Sequence, residues 1–470
     1  MSNKTSTQPY GKPPTEVPAK GPTKTPAKAK QSSVRHTRAV QVDRSKRPTV
    51  APSARVIERQ LAEVVHPATY NQAAAYRAAG FRQRALTLPV MVAFVISLIW
   101  RQLGSVREAV RVLQQEGVLW VAPLEVSRQA VTQRLRSIPP ELFRGVLMDV
   151  LPLMQQRAQA RQRPVLPAVA HAQRHFKAIL ALDGSTLDVL LRKVGLLREL
   201  DKPPLAGRIA GLLDIASLLP REVWYEDDSQ AHDQRFWERV IAALPQGTLL
   251  IFDLGFLNYP LFDRLTEQGI GLITRAKQNT AYRGIVQVLR SSPNLRDRIV
   301  LLGVGDNGCV HPMRLVEVLY QGKWYRYLTN VLDPAVLPTQ YVVALYWQRW
   351  RIEDALDAVK RLLGLAYFWV GSNNGVQMQV WATWLVYAVL VDITDAVAEE
   401  LRRPYRDLSL EMVYRGLYHF TEAYHRGDAT DPIKYLAAKA EELDIIKHKR
   451  HSALMFRQGR LEEWVREAYS

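Results

Sequence analysis

Residues 177–186 read KAILALDGST, and this stretch decides the fold class. Its first six residues, five of them apolar after Lys177, have the pattern of a buried strand, and they lead to Asp183, followed by Gly184 and Ser185. Reading outward, 209–215 (IAGLLDI), 221–225 (REVWY), 248–252 (TLLIF) and 271–274 (GLIT) repeat the pattern. Helical stretches at 234–243 and 259–268 separate several of them. Short buried strands alternating with helices predict an α/β sheet domain. Residues 280–335 are β-rich, with runs at 299–304, 313–320 and 324–331 joined by Gly, Asn and Asp turns. The last 130 residues return to a helical pattern.

Upstream, the periodicity is helical from about residue 53 to 175. Residues 86–104 read as a buried helix entered near Pro89. The segment 106–115 (VREAVRVLQQ) puts Val106, Ala109, Val110 and Leu113 on one face, and Gly117 ends it. Ser127 can cap a following helix whose exposed face carries Arg128, Gln129, Gln133, Arg134 and Arg136. A polar, Arg/Gln-rich second helix resembles a helix-turn-helix with a long connector and points to DNA contact, an ordinary solvated face being the alternative. Ile138-Pro139-Pro140 stops that helix, and 141–158 forms another. Residues 1–52, with six prolines in the first 30, hold almost no large apolar side chains and are expected to stay disordered.

The chain has 470 residues, 63 Lys+Arg against 45 Asp+Glu, and a formal charge of +18. The excess is confined: residues 1–50 carry +9, residues 51–175 carry +9, and the rest sum to zero. Such a field favours a polyanion, most plausibly nucleic acid. Hydrophobic residues make up 47%, which excludes wholesale disorder. Cys309 is the one cysteine, so an internal disulfide is excluded and a reducing compartment is expected. The first residues lack a signal-peptide core, and the longest apolar runs, 88–100 and 381–393, fall short of the roughly 20 residues a bilayer requires. The expected location is intracellular, with no membrane partner.

Two motifs carry less than their letters suggest. Gly303-Val304-Gly305-Asp306-Asn307-Gly308 matches G-x-G-x-x-G, but a β-type run follows it where a dinucleotide site needs a helix, so a Gly-rich hairpin is expected. His171 and His175 stand at i, i+4 with no Glu in the pattern of a zinc helix.

Three acids stand where an acid is costly unless used. Asp183 and Asp253 each follow a buried run, at the strand end where ligands bind in open α/β sheets, although an aspartate there can also simply start a turn. The third is Glu353, in Tyr346-Trp347-Gln348-Arg349-Trp350-Arg351-Ile352-Glu353, with Lys360 beyond it. At 100° per residue, Tyr346, Arg349, Glu353 and Lys360 fall within an arc of about 60° on one helix face. Such a stripe does not make a hydrophobic core; it can hold a carboxylate beside groups that grip phosphate.

At these residues the chain resembles the IS4-type DDE transposases. The match is the Y-x2-R-x3-E-x6-K signature at Tyr346, Arg349, Glu353 and Lys360, supported by D-G-S/T at Asp183 and D-x-G-F/Y at Asp253-Leu254-Gly255-Phe256. It extends over roughly 100–400, including 272–277 (LITRAK) and Leu328-Thr329-Asn330. The resemblance implies an RNase H-like core interrupted by a β-strand insertion. The expected division is a tail at 1–52, a helical DNA-binding domain at 53–175, core at 176–279 and 336–405, the insertion at 280–335, and a helical end at 406–470. It further implies metal-dependent cleavage at the terminal inverted repeats of an insertion sequence, followed by strand transfer into target DNA. Asp183, Asp253 and Glu353 would ligate two Mg²⁺ ions, with Mn²⁺ able to substitute. Arg349 and Lys360 would hold phosphate, and Tyr346, Arg275, Lys277, Arg128 and Arg134 would contact DNA. Trp324 or Tyr325 would stack a flipped base or, as the competing reading, pack the insertion. The partners implied are double-stranded DNA and a second copy of the chain in a synaptic complex. A non-mobile RNase H-like nuclease and a domesticated DNA-binding protein are the alternatives.

Overall fold

The structure, a computed structural model, describes residues 55–447 apart from 83, 187–206, 227–232, 257, 305–306, 321, 366–368 and 370–371. The expected disordered tail at 1–52 and the end of the chain from 448 lie outside the described residues.

Among the described residues, seven helices lead into the sheet: α1 (Arg55–Asn71), α2 (Ala73–Ala78), α3 (Leu88–Trp100), α4 (Val106–Gln115), α5 (Arg128–Ser137), α6 (Glu141–Ala160) and α7 (Pro167–His175). Helix α3 is apolar on every side, and Leu88 and all residues from Met91 to Trp100 are buried. Helices α4 and α5 start where their serines place them. Ser105 Oγ accepts from the Glu108 N–H and Ser127 Oγ from the Ala130 N–H, satisfying donors that the first turn leaves open. Their connector turns at Gly117, in the left-handed region at φ +80°, and a bridge between Val118 and Val121 folds it back.

The sheet has ten strands: β1 (Ala178–Thr186), β2 (Arg208–Asp214), β3 (Pro220–Glu226), β4 (Thr248–Phe252), β5 (Gly271–Arg275), β6 (Tyr282–Ser292), β7 (Leu295–Val304), β8 (Asn307–Gly308), β9 (Met313–Tyr320) and β10 (Lys323–Thr329). Their order is β3-β2-β1-β4-β5-β10-β9-β7-β6, with β8 paired to β7. Strands β1, β4 and β5 are parallel; every other pairing is antiparallel. The β-rich stretch therefore continues the sheet of β1–β5 through β10, which lies antiparallel to β5. Strand β6 gave no sequence signal because it is the outer edge, open to solvent along most of its length, and alternation has nothing to encode there.

Side-chain alternation splits the core into two layers. Leu180, Leu182, Leu250, Phe252 and Leu272 face α8 (Trp237–Ala243) and α9 (Tyr259–Glu267). Ile179, Ala181, Leu249, Ile251 and Ile273 face the layer that includes α10 (Thr339–Gln348) and α11 (Trp350–Asp357). A π-helical turn, Ala358–Leu362, follows α11. Helix α12 (Asn373–Glu400) packs against α3, α5, α6, α13 (Leu410–Arg426) and α14 (Pro432–Ala438). It contains the 381–393 run and, at 28 residues, is long and apolar enough by composition to cross a bilayer, a correction to the shorter apparent length. Of its most apolar window 89% is buried within the protein, the position of a core helix.

One buried ion pair ties the added strands to the helix that follows them. Arg314 on β9 donates from Nε and Nη2 to both oxygens of Asp297 on β7, at 2.8 and 2.6 Å. Its Nη1 donates to the Leu337 carbonyl at 2.6 Å, and the Thr339 hydroxyl at the start of α10 donates to Asp297 at 2.7 Å. Gly303, at φ +89°, makes the β7–β8 hairpin; a Cβ there would lie 2.2 Å from the Asn307 carbonyl oxygen. The described G-x-G-x-x-G letters thus fall on two antiparallel strands, with Gly303 paired to Gly308 and Val304 to Asn307, and not on a strand-to-helix turn.

Candidate active site

Asp183, Ser185 and Asp253 continue the alternation of Ile179, Ala181 and Leu249, Ile251, so all three stand on the face covered by α10 and α11. Helix α11 lies over β2 there: a Cβ on Gly211 would be in ordinary contact with Ile352 Cδ1, at 3.8 Å. The helical stripe meets the strand ends residue by residue. Tyr346 Oη donates to Asp253 Oδ1 at 3.0 Å. Arg349 donates from Nη1 to Asp183 Oδ2 at 3.4 Å and pairs through Nη2 with Glu353 Oε1 at 2.5 Å. Lys360 Nζ donates to Ser185 Oγ at 2.6 Å. Acids from two strands and a helix, separated by up to 170 positions in sequence, share one site.

The electrostatics follow from three carboxylates in a half-buried crevice. Asp183 is raised to about 6, chiefly by burial; Arg349 and the Gly184 N–H, from which Asp183 Oδ1 accepts at 2.8 Å, oppose the rise, and Glu353 and Asp253 add to it. Burial also raises Glu353, with Arg349 opposing. Burial lowers Lys360. Burial works against the Arg349 charge, yet Tyr346, Asp253, Glu353 and Asp183 around it leave its pKa raised. Tyr346 is raised by burial and by Asp253, so its hydroxyl keeps its proton. Arg349 is 4% exposed, its guanidinium lies 5.0 Å from the Trp350 ring centre, and its buried Nε has no partner.

Three hard oxygen donors against one central guanidinium leave an excess of negative charge, the donor chemistry that suits a divalent cation such as Mg²⁺. Among the described residues, no three acidic, His or Cys side chains close to common metal-ligand distance; the Arg349 guanidinium stands between Asp183 and Glu353.

Of the other residues singled out by sequence, Arg275 shares this face, with its guanidinium 5.8 Å from the Tyr325 ring and its Nε unpartnered. Tyr325 alternates with Trp324, so the pair divides between the two faces. Tyr325 and Tyr327 lie toward the site, Tyr327 with its ring 5.1 Å from that of Tyr346. Trp324 points to the opposite face, with the Arg296 guanidinium 4.5 Å from its ring, the packing arrangement that was the competing reading. Lys277 is exposed beyond β5, and its carbonyl accepts from Arg326. On α5, Arg128 is exposed, but Arg134 is not on the open face expected: its guanidinium sits 5.0 Å from the Phe81 ring and its side chain is half-buried. His171 approaches the Val336 carbonyl at 3.2 Å and stacks loosely on His175 and Tyr341, an ordinary packing role. Ser185, the partner of Lys360, was visible only as a letter of the D-G-S/T motif, and nothing in the sequence marked Trp350 as the ring beside Arg349.

Comparison with known proteins bears on this site. Residues 212–389 match a family model described as "Transposase DDE domain", a span that includes Asp253 and Glu353 and begins after Asp183. A Sinorhizobium fredii protein named "Putative transposase y4zB" is 27% identical over 259 residues, covering 49% of this chain and 70% of that one. The mixed α/β sheet with flanking helices fits such a domain. The family match and this relative together support a DDE-type transposase.

Proposed function

We propose that the chain is an IS4-type DNA transposase that cuts at the terminal inverted repeats of its own element and joins the freed ends to target DNA. The observation that carries this reading is the meeting of Asp183, Asp253 and Glu353 around Arg349, with Tyr346 and Lys360 on the same helical stripe. An RNase H-like core is supported by the β3-β2-β1-β4-β5 order, with β1, β4 and β5 parallel and both acidic strand ends on one face.

Asp183, Asp253 and Glu353 would hold two Mg²⁺ ions, with Mn²⁺ able to substitute, and when bound these supply activation of the attacking oxygen and stabilisation of the leaving oxygen. Tyr346 holds the Asp253 carboxylate in one orientation through its hydroxyl. Arg349, released from its carboxylate partners, presents two donors to a non-bridging phosphate oxygen. Lys360, fixed by Ser185 next to Asp183, adds a point charge on the same side. Arg275 and Tyr325 extend the face on which the DNA backbone would lie. Double-stranded DNA, as element ends and target, and a second copy of the chain are the proposed partners, and the nucleoid the proposed location.

The test is incubation of the protein with its own flanking DNA ends and Mg²⁺, read on a denaturing gel. Strand breaks at the repeat termini and joined products support the reading. Inverted repeats and a short target duplication around the gene separate a mobile element from a stand-alone nuclease; breaks scattered without regard to the repeats would favour the nuclease.

A further inference from the structure

One guanidinium spans two of the three site carboxylates. Arg349 Nη1 lies 3.4 Å from Asp183 Oδ2, on β1, and Nη2 lies 2.5 Å from Glu353 Oε1, on α11. The other cations of this helical stretch are placed differently: Arg351 turns to Asp354, and Lys360 donates to the neutral Ser185 hydroxyl. The third carboxylate, Asp253, accepts from the neutral Tyr346 hydroxyl. Arg349 is buried against two rings, 5.9 Å from the Tyr346 centre and 5.0 Å from that of Trp350. A guanidinium and a hard divalent cation draw on the same carboxylate lone pairs, and two cations brought to one pair of oxygens repel each other. Arg349 also has a bond to gain elsewhere, because its buried Nε has no partner. A phosphate matches the guanidinium fork and offers it acceptors outside the carboxylate cluster.

We propose that Arg349 couples cation loading to DNA binding: it competes with a divalent cation for Asp183 and Glu353, and a backbone phosphate that draws the guanidinium away frees both oxygens. The inference rests on the transposase reading for its phosphate. It adds a safeguard to that reading, since the carboxylates take up cation tightly only where a phosphodiester is present to be cut. Coupling between two ligands is reciprocal, so a loaded site also holds phosphate more tightly through Arg349.

The experiment titrates the full chain with Mn²⁺, reading free Mn²⁺ by electron paramagnetic resonance, with and without a duplex bearing the element's own end sequence. Wild type is compared with Arg349→Met and Arg349→Lys, and Arg351→Met removes the same charge from a neighbouring position paired to Asp354. Without DNA, Arg349→Met should bind Mn²⁺ about tenfold tighter than wild type. Arg349→Lys, whose single ammonium cannot span both carboxylates, should also bind tighter, and it carries the comparison if Arg349→Met unfolds. DNA should tighten Mn²⁺ binding by wild type about tenfold and by Arg349→Met less than a third as much. Both Arg349 variants binding Mn²⁺ no tighter than wild type, or a gain equalled by Arg351→Met, overturns the proposal. So does a DNA effect of the same size in wild type and Arg349→Met. Cutting is read separately, with Mg²⁺ on a denaturing gel. Wild type that cuts its ends while the variants gain no Mn²⁺ affinity refutes this inference and leaves the catalytic reading intact; the predicted Mn²⁺ and DNA effects without any cutting reverse the two.

Discussion

Replacing Arg314 by Met is expected to be among the most damaging single changes in the described chain. The side chain is fully buried, as is Asp297, and the two share a bidentate pair at 2.8 and 2.6 Å. Removing Arg314 leaves the Asp297 carboxylate inside the protein with the Thr339 hydroxyl as its remaining side-chain partner, and takes a donor from the Leu337 carbonyl. Breaking a buried pair from one side costs about 3–5 kcal/mol because a charge stays behind uncompensated. Losing an exposed pair such as Arg426–Asp428 should cost far less, because water screens both charges and solvates whichever one remains. Urea unfolding of Arg314→Met, with Arg426→Met alongside, reads the contrast. Because Asp297 itself is the penalty, Asp297→Leu/Arg314→Met should recover most of the loss. Thr339 starts the helix that carries Tyr346, so at temperatures where Arg314→Met stays folded, DNA cutting should fall further than DNA affinity. A single variant within about 1 kcal/mol of wild type, or a double variant no better than the single, would refute the reasoning.

Tyr346→Phe removes the hydrogen bond to Asp253 and should slow cutting about 10–100-fold with DNA affinity nearly unchanged, measured by cleavage rate and filter binding; an equal loss of both would return Tyr346 to a DNA-contact role. Gly303→Ala forces a Cβ into the Asn307 carbonyl at a positive φ and should cost about 1–3 kcal/mol in thermal or urea unfolding while leaving the sheet's catalytic end intact. Lys447 is lowered to about 8, first by burial and then by Arg351. Its native form therefore binds fewer protons than the unfolded chain between about pH 8 and its ordinary 10.5, so stability from this group is present above that range and lost as pH falls through 8. Lys447→Met should flatten that rise and stabilise the protein at pH 7, by up to about 3 kcal/mol less the hydrogen bond to the Arg406 carbonyl.

Much of this was written locally. The run before Asp183 announced a buried strand because the five residues after Lys177 are all apolar, and Ser127 announced a helix start because a cap needs only its own next turn. The stripe of Tyr346, Arg349, Glu353 and Lys360 was legible because helical phase is a property of spacing alone. What depended on distant partners was not. Pairing of β10 with β5, which makes one sheet of two apparent blocks, leaves no mark within either strand. Arg134 looked solvated because Phe81, which covers it, is far away in sequence, and Trp324 and Tyr325 looked interchangeable because strand phase was not fixed. Nothing within either strand marked Asp297 and Arg314 as partners, because their meeting depends on the pairing of β7 with β9. The π-helical turn at Ala358–Leu362 breaks the regular phase between Glu353 and Lys360, yet Lys360 still reaches Ser185.

The central claim is that Glu353 acts with Asp183 and Asp253 in cutting DNA, and Glu353→Gln tests it most directly because the substitution keeps shape and removes charge. Wild type and Glu353→Gln are incubated with the element's own end sequences and Mg²⁺, with binding measured on the same DNA and strand breaks read on a denaturing gel. Retained binding with no strand breaks is the predicted result. Cutting at the wild-type rate by Glu353→Gln would contradict it.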